Sequence, residues 1–307
     1  MTKTTPRISI VTPSFNQAEF LESTMRSVLE QDYPNLEYVV VDGGSSDHSP
    51  KIIERYADRL KYWTSEKDNG HAHALNKGFK QTTGEIMGWL NSDDMHLPWT
   101  LRVVAEIFEQ FPQVDWITGL NGTWSQHGVI TETIKVRKNE YDFYLGDYAW
   151  IQQESVFWRR SLWDKSGGYI DEKIKYMVDG ELWTRFFPHA QLHAVDCLLA
   201  GYRKHFTNRA IIHEDACHQE MQQIIRNAYK ARPEQTRKDY SRLRQVKGLL
   251  NSNIPGRWRF LYPAARKLYA PSFQAASYTD ITYQNQQWEL RKAPFELSQG
   301  PLLQLNS

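Results

Sequence analysis

The stretch Gly88-Trp89-Leu90-Asn91-Ser92-Asp93-Asp94 is an apolar run that stops abruptly at two adjacent carboxylates. Ile86 to Leu90 follows the breaker Thr83-Gly84 and precedes Pro98, which suits the first turn of a new helix, so the run is expected to be a buried strand. Asp93 and Asp94 then sit at a strand's carboxyl end, where the loops of an open α/β sheet converge on a crevice. Two neighbouring hard oxygen donors suit Mg²⁺ or Mn²⁺, ions that bind through one or two carboxylates while substrate phosphates and water fill the other positions. An isolated Asp-Asp pair is more often a solvated turn, so its context decides.

Working outward, Ile8 to Thr12 is a β-branched run ended by Pro13, and Phe20, Leu21, Thr24, Met25, Val28 and Leu29 recur at helical spacing. Leu36 to Val41 predicts a second strand, broken by Asp42-Gly43-Gly44. Ser49 before Pro50 supplies an N-cap and first-turn proline for a helix with Ile52, Ile53, Tyr56 and Ala57 on its apolar stripe. Leu60 to Thr64 predicts a third strand, and Ala74, Leu75, Gly78 and Phe79 a third helix that ends at Gly84. Strands alternating with helices, over connections too long for hairpins, give a largely parallel sheet with right-handed crossovers. Such a sheet brings its strands' carboxyl ends to one edge. Pro13 to Asn16, Asp42, Asp68 and Asp93-Asp94 therefore share a rim; each alone reads as a turn or cap, and together they read as a site.

Neither GxGxxG after a first strand nor GxxxxGK[ST] occurs, which disfavours dinucleotide and P-loop enzymes. Lys and Arg total 37 against 36 Asp and Glu in 307 residues, and a net charge of +1 gives no whole-protein field for nucleic acid. Cys197 and Cys217 form no CxxC and no disulfide framework, consistent with a reducing compartment. Met1 to Arg7 carries no signal pattern and no span reaches transmembrane length, so a cytoplasmic location is expected. Aromatic residues make up 13%, including 11 Trp, and much of this falls after Trp89. Two readings stand for them, a carbohydrate groove or plain core packing.

Together, Ile8 to Asn16, Val40 to Asp47, Glu66 to Gly70 with Asn76-Lys77-Gly78, and Leu90 to Asp94 resemble the family 2 glycosyltransferases of the GT-A fold. The likeness continues at Gln153 to Trp163, at Met177 to Trp183 and at Tyr202 to His205. The resemblance implies a Rossmann-like, mixed but mostly parallel sheet flanked by helices. It implies that Thr12, Pro13, Asn16, Asp42, Asp68, Gly70 and Asn76 bind a nucleotide-diphosphate sugar, with Asp93 facing the ribose. Asp94 and His205 would hold Mn²⁺ or Mg²⁺, and Asp179 would be the catalytic base. The base motif reads Val178-Asp179 without the Glu-Asp pair of many relatives, which leaves Glu154 as a rival base.

Breaking a sugar–diphosphate bond builds negative charge on the leaving group, and a divalent ion is a direct way to stabilise it. The acceptor hydroxyl must lose a proton, a task for one carboxylate. One base and no nucleophile motif favour direct displacement with inversion, from a UDP-sugar to a hydroxyl of a glycan or lipid-linked acceptor in bacterial cell-surface polysaccharide synthesis. A sugar-nucleotide nucleotidyltransferase ranks lower, because Pro13 to Gln17 is not a glycine-rich basic loop. An inactive carbohydrate-binding relative ranks lower because the acids are retained.

The expected organisation is a catalytic domain over 1–212, with a nucleotide-sugar half at 1–97 and an acceptor half at 98–212, and a helical extension over 213–307. Trp116 to Trp124 and Val129 to Val136 are expected to extend the sheet, and Ala293 to Ser307 to be loosely ordered. Residues 257–269 mix cations with aromatics, as in a helix lying on the inner face of a membrane or against a second subunit.

Overall fold

The computed structural model describes residues 5–148, 151–251, 257–297, 302–303 and 305, with the side chains of 257–260 outside that description. Its first third alternates as the sequence predicts: Ile8–Ser14 (β1), Ala18–Leu29 (α1), Leu36–Asp42 (β2), Ser49–Glu54 (α2), Tyr62–Ser65 (β3), His71–Phe79 (α3) and Ile86–Trp89 (β4). β1 runs parallel to β2, with Ser14 opposite Asp42, and parallel to β4, with Val11 opposite Trp89. β1 and β4 are buried along their whole length, the mark of parallel strands covered on both faces. The apolar stripe of α1, Phe20 to Leu29 at helical spacing, is buried against the sheet.

The chain continues through Met95–His96 (β5), Thr100–Gln110 (α4), Trp116–Thr118 (β6), Asn121–Trp124 (β7), Ile130–Ile134 (β8), Glu140–Tyr144 (α5), Val156–Arg159 (β9), Arg160–Lys165 (α6), Val178–Phe186 (α7), Leu192–Val195 (β10) and Ala200–Arg203 (β11). It then forms Arg209–Ile212 (α8), Glu214–Lys230 (α9), Glu234–Asn251 (α10), Arg257–Leu268 (α11), Ala270–Ala275 (α12), Tyr278–Gln284 (β12) and Gln287–Ala293 (β13). The main sheet has nine strands in the order β13-β12-β10-β6-β9-β4-β1-β2-β3. It is parallel except where β9 runs antiparallel to β4 and β6 and at the β12–β13 hairpin. This is the GT-A arrangement of a mixed, mostly parallel sheet flanked by helices.

Four expectations are corrected. β7 and β8 do not extend the main sheet; they pair in a second sheet of order β5-β11-β7-β8. All five residues of β8 are exposed, so that strand has no apolar face to bury between helices. The helical extension ends in β12 and β13: β12 joins the main sheet parallel to β10, and a turn whose Asn285 and Gln286 have φ of 50° and 62° leads into the antiparallel β13. Phe295, expected in a loose tail, is 1% exposed. Ser49 is not the cap of α2: His48 holds that position, and Asp47 accepts the Ser49 N–H at 2.9 Å and that of Ala18, the first residue of α1, also at 2.9 Å.

The tryptophans resolve towards packing. Trp89, Trp116, Trp158 and Trp183 are each at most 1% exposed, with Trp89 and Trp183 stacked at 5.8 Å. Among the described residues no helix is long and apolar enough to cross a membrane. In α11, Tyr262 and Ala265 pack back against the core while Leu261 and Leu268 stay exposed.

Candidate active site

The rim forms at the carboxyl ends of β4, β1, β2 and β3. Asp42, fully buried, accepts the Ser45 N–H at 2.9 Å, the Ser45 hydroxyl at 2.5 Å and the Ser65 hydroxyl at 2.7 Å. Asn16, with φ of 50°, closes the same loop: its Oδ1 accepts the Ser46 N–H at 2.9 Å and its own N–H reaches Ser45 Oγ at 2.7 Å. Asp68 accepts the Gly70 N–H at 2.7 Å and lies against Gly43, where a Cβ would stand 3.1 Å from Asp68 Oδ2. Gly70 has φ of 104°, a conformation that favours glycine, and opens α3.

Three of the expected donor-binding residues make other contacts. Thr12 Oγ1 lies inside the sheet 2.9 Å from the Tyr38 hydroxyl, and Pro13 is buried opposite Val41. Asn76 donates to the Ile170 carbonyl and to Glu172 Oε1, both at 2.9 Å, and accepts the Ile170 N–H at 2.8 Å.

The second bank is built on the turn after β4. Leu90 N–H donates to the Val11 carbonyl, and the Asp94 N–H closes on the Asn91 carbonyl at 3.1 Å. Thr24 of α1 donates to the backbone carbonyls of Ser92 and Asp94, at 2.9 and 2.7 Å, which fixes the turn on that helix. The Asp94 side chain is buried, and its Oδ1 accepts the Arg203 N–H at 2.9 Å. Burial, then the charges of Asp93 and Glu154, push its pKa well above the usual carboxylate range.

Glu154 follows Gln153, whose amide donates to the Trp89 carbonyl and so ties this turn to β4. Glu154 is 3% exposed, and its Oε1 has no hydrogen-bond partner among the described residues. Burial and the charges of Asp179 and Asp93 raise its pKa to about 8. Asp179 is the second residue of α7; burial raises its pKa to about 6, against the opposing pull of the backbone N–H groups of Gly180 and its own residue. Asp93, Asp94, Glu154 and Asp179 thus form one electrostatic cluster.

His205 is brought to this cluster, but onto Asp93 rather than Asp94. Its Nε2 lies 3.1 Å from Asp93 Oδ2, its Nδ1 2.8 Å from Thr207 Oγ1, and its ring packs 4.5 Å from that of Phe20. The expected division, with Asp93 on the ribose and His205 with Asp94 on a metal, is therefore not the pairing seen. Among the described residues no three His, Cys, Asp or Glu side chains enclose an ion by themselves. The donor set nonetheless fits a hard cation: Asp94 is a buried carboxylate with no Lys or Arg ion pair among the described residues, beside Asp93 and its imidazole partner.

Sequence reading missed two residues here. His71 opens α3, and its Nε2 lies 3.1 Å from Asn91 Oδ1, with burial lowering its pKa. A histidine just after Asp68-Asn69-Gly70 on the same rim is the signal that was available. Tyr202, partly buried, has its pKa raised by burial and by Asp94, Asp93 and Glu154.

Residues 9–120 match the model of Glycosyl transferase family 2. Over 196 residues the chain is 28% identical to an uncharacterized glycosyltransferase of Rickettsia typhi, covering 59% of this chain and 58% of the other. It is 35% identical over 97 residues to TuaG of Bacillus subtilis, named for teichuronic acid biosynthesis, covering 31% of this chain and 38% of that one. The chain thus spans about three fifths or less of the length of these curated relatives. The crystal structure of S. aureus TarS 1–349 in complex with UDP-GlcNAc superposes with a TM-score of 0.63 at 17% identity, over 87% of this chain and 81% of that one. At that identity the likeness bears on the fold, which the two share.

Proposed function

Since residues 9–120 match Glycosyl transferase family 2, we propose that the chain transfers a sugar from a nucleotide-diphosphate donor to a hydroxyl of a glycan or lipid-linked acceptor. The UDP-GlcNAc held by the TarS structure supports a UDP-sugar, and the name of TuaG supports a cell-surface polysaccharide as the product. The reaction is a direct displacement that inverts the anomeric centre, carried out in the cytoplasm or at the inner face of the membrane.

One observation carries the reading: Asp179, in the first turn of α7, and Asp93 both act on the buried Glu154, which links the start of α7 to the Asp93–Asp94 turn. With its pKa near 6, Asp179 is ionised at neutral pH and basic enough to take the acceptor's proton. Glu154, protonated up to about pH 8, is the poorer base and offers a hydrogen-bond donor to a sugar or acceptor oxygen. Asp94 and Asp93, with His205 behind the latter, would hold Mn²⁺ or Mg²⁺ against the donor diphosphate. When bound, that ion supplies charge stabilisation to the leaving group. The loop of Asn16, Asp42 and Asp68 receives the nucleoside.

The test is Asp179→Asn. Sugar transfer should fall roughly 10²–10⁴-fold, while UDP with Mn²⁺ still raises the melting temperature as in the wild type. Loss of UDP binding, or transfer at the wild-type rate, would refute the assignment.

A further inference from the structure

The segment that leads into α7 has no cap of its own, since Met177 at the N-cap position makes no side-chain hydrogen bond. Its free N–H groups are taken by a residue from another helix. Glu220 of α9 accepts the Lys175 N–H on Oε1 at 2.9 Å, and the Tyr176 and Met177 N–H groups on Oε2 at 2.7 and 2.8 Å. Hydrogen bonds to an ionised carboxylate are roughly twice as strong as neutral ones, so three on one side chain make a firm clamp.

The same segment is gripped from its other side. Arg209 donates to the Lys175 carbonyl at 2.6 Å and lays its guanidinium 5.0 Å over the Tyr176 ring, which also packs 5.2 Å from His213. α7 and α9 then close on each other one residue past Asp179: a Cβ on Gly180 would stand 2.4 Å from Met221 Sδ. The first turn of α7 is therefore referenced to α9 at two points, Glu220 and Met221, on either side of Asp179.

We propose that Glu220 is a positioning residue for the reaction: by pinning residues 175–177 it sets where α7 begins, and so where the Asp179 carboxylate stands relative to the Asp93–Asp94 turn. This rests on the reading of Asp179 as the base. Among the described residues, the charged or titratable groups that act on or feel Asp179 are Glu154, from the turn before β9, and Cys217, from α9. Cys217 also feels the Glu220 charge, and the three hydrogen bonds that Glu220 accepts from residues 175–177 all come from backbone N–H groups, so its hold on the segment is through the backbone. The N–H groups of Asp179 and Gly180 hold the carboxylate's pKa down against burial. A frayed helix start would withdraw them and let that pKa rise.

The experiment compares Glu220→Gln with the exposed Glu214→Gln on the same helix, in the full chain with a UDP-sugar and Mn²⁺. Glu220→Gln should lower kcat roughly tenfold through displacement of the base, leave the donor KM and UDP binding unchanged, and move the acid limb of the kcat profile to higher pH. Glu214→Gln should change none of these. In an Asp179→Asn background, Glu220→Gln should take nothing further from the residual transfer. An unchanged kcat, an unmoved acid limb, or an undiminished tenfold loss in that background would overturn the proposal. Full transfer by Asp179→Asn alone would sink the base reading instead, before Glu220 is tested. If Glu220→Gln does not fold, Arg209→Gln releases the same loop from its other side, and a wild-type kcat and acid limb there would equally overturn it.

Discussion

On the bank formed by β1, β2 and β3, carboxylates are met by donors of their own loops: Asp42 by Ser45 and Ser65, Asp47 by Ala18 and Ser49, Asp68 by Gly70. On the opposite bank Asp94, Glu154 and Asp179 are set close together, and the first two are almost wholly buried. The first arrangement is what a stable loop needs. The second costs stability in the free protein, because burial raises the pKa of all three and neighbouring charge adds to it for Asp94 and Glu154. A cost of that kind persists where something else offsets it, and a cation with a proton-yielding hydroxyl would do so.

The largest effect should come from taking a charge off the second bank at the metal position. Asp94→Asn should lower transfer roughly 10²–10³-fold, the usual loss on removing one stabiliser of developing charge. The metal-free protein should at the same time melt no lower than the wild type, since Asn keeps the bond to Arg203 N–H without a buried charge. A large fall in melting temperature would show Asp94 to be satisfied like Asp42, and the contrast between the banks would break.

A smaller effect sharpens the contrast through pH. In the unfolded chain Glu154 ionises near its ordinary value of 4.5, whereas in the folded chain it holds its proton to about pH 8. Between these values the folded state binds more protons, so stability falls as pH rises. Metal-free protein should therefore melt lower at pH 8 than at pH 5. Glu154→Gln should make that slope shallower, by on the order of 1 kcal/mol or more over the interval. A slope equal to the wild type's would mean Glu154 ionises normally in the cleft.

How much of this was legible follows from how local each feature is. The first bank was readable because β1 to β4 with α1 to α3 are consecutive, and their strand ends fall on one rim by topology alone. β12 was not, because its partner β10 lies far away in sequence and its residues are polar enough to pass for a loop. The exposed β8 misled for a related reason: β-branched residues name a strand but not the sheet it joins. In the site, the acids were found, but not which of them keep unpaired charge. Asn76 and Thr12 show why: Ile170 and Tyr38, which claim their side chains, lie in segments that only the fold brings near. The same holds for His205, whose partner Asp93 lies 112 residues away in sequence.

The last predicted effect probes the first bank. Asp47 ties the first residue of α1 to the start of α2, Oδ2 on the Ala18 N–H and Oδ1 on the Ser49 N–H. Neither Gln17 nor His48 caps its own helix with a side chain, so Asp47→Ala strips both at once. Loss of a cap costs about 1 kcal/mol, and two from one side chain should cost about 1–2 kcal/mol in denaturant melts at neutral pH. Burial pushes the Asp47 pKa up, but the N–H groups of Ala18 and Ser49 outweigh it and hold the net value below the ordinary 3.8. Its contribution is therefore complete above the unfolded value and lost as pH falls through the folded one. The gap between wild type and Asp47→Ala should close in strong acid, the opposite trend to that expected for Glu154. Two variants on facing banks whose stability differences run the same way with pH would show that the banks do not differ in kind.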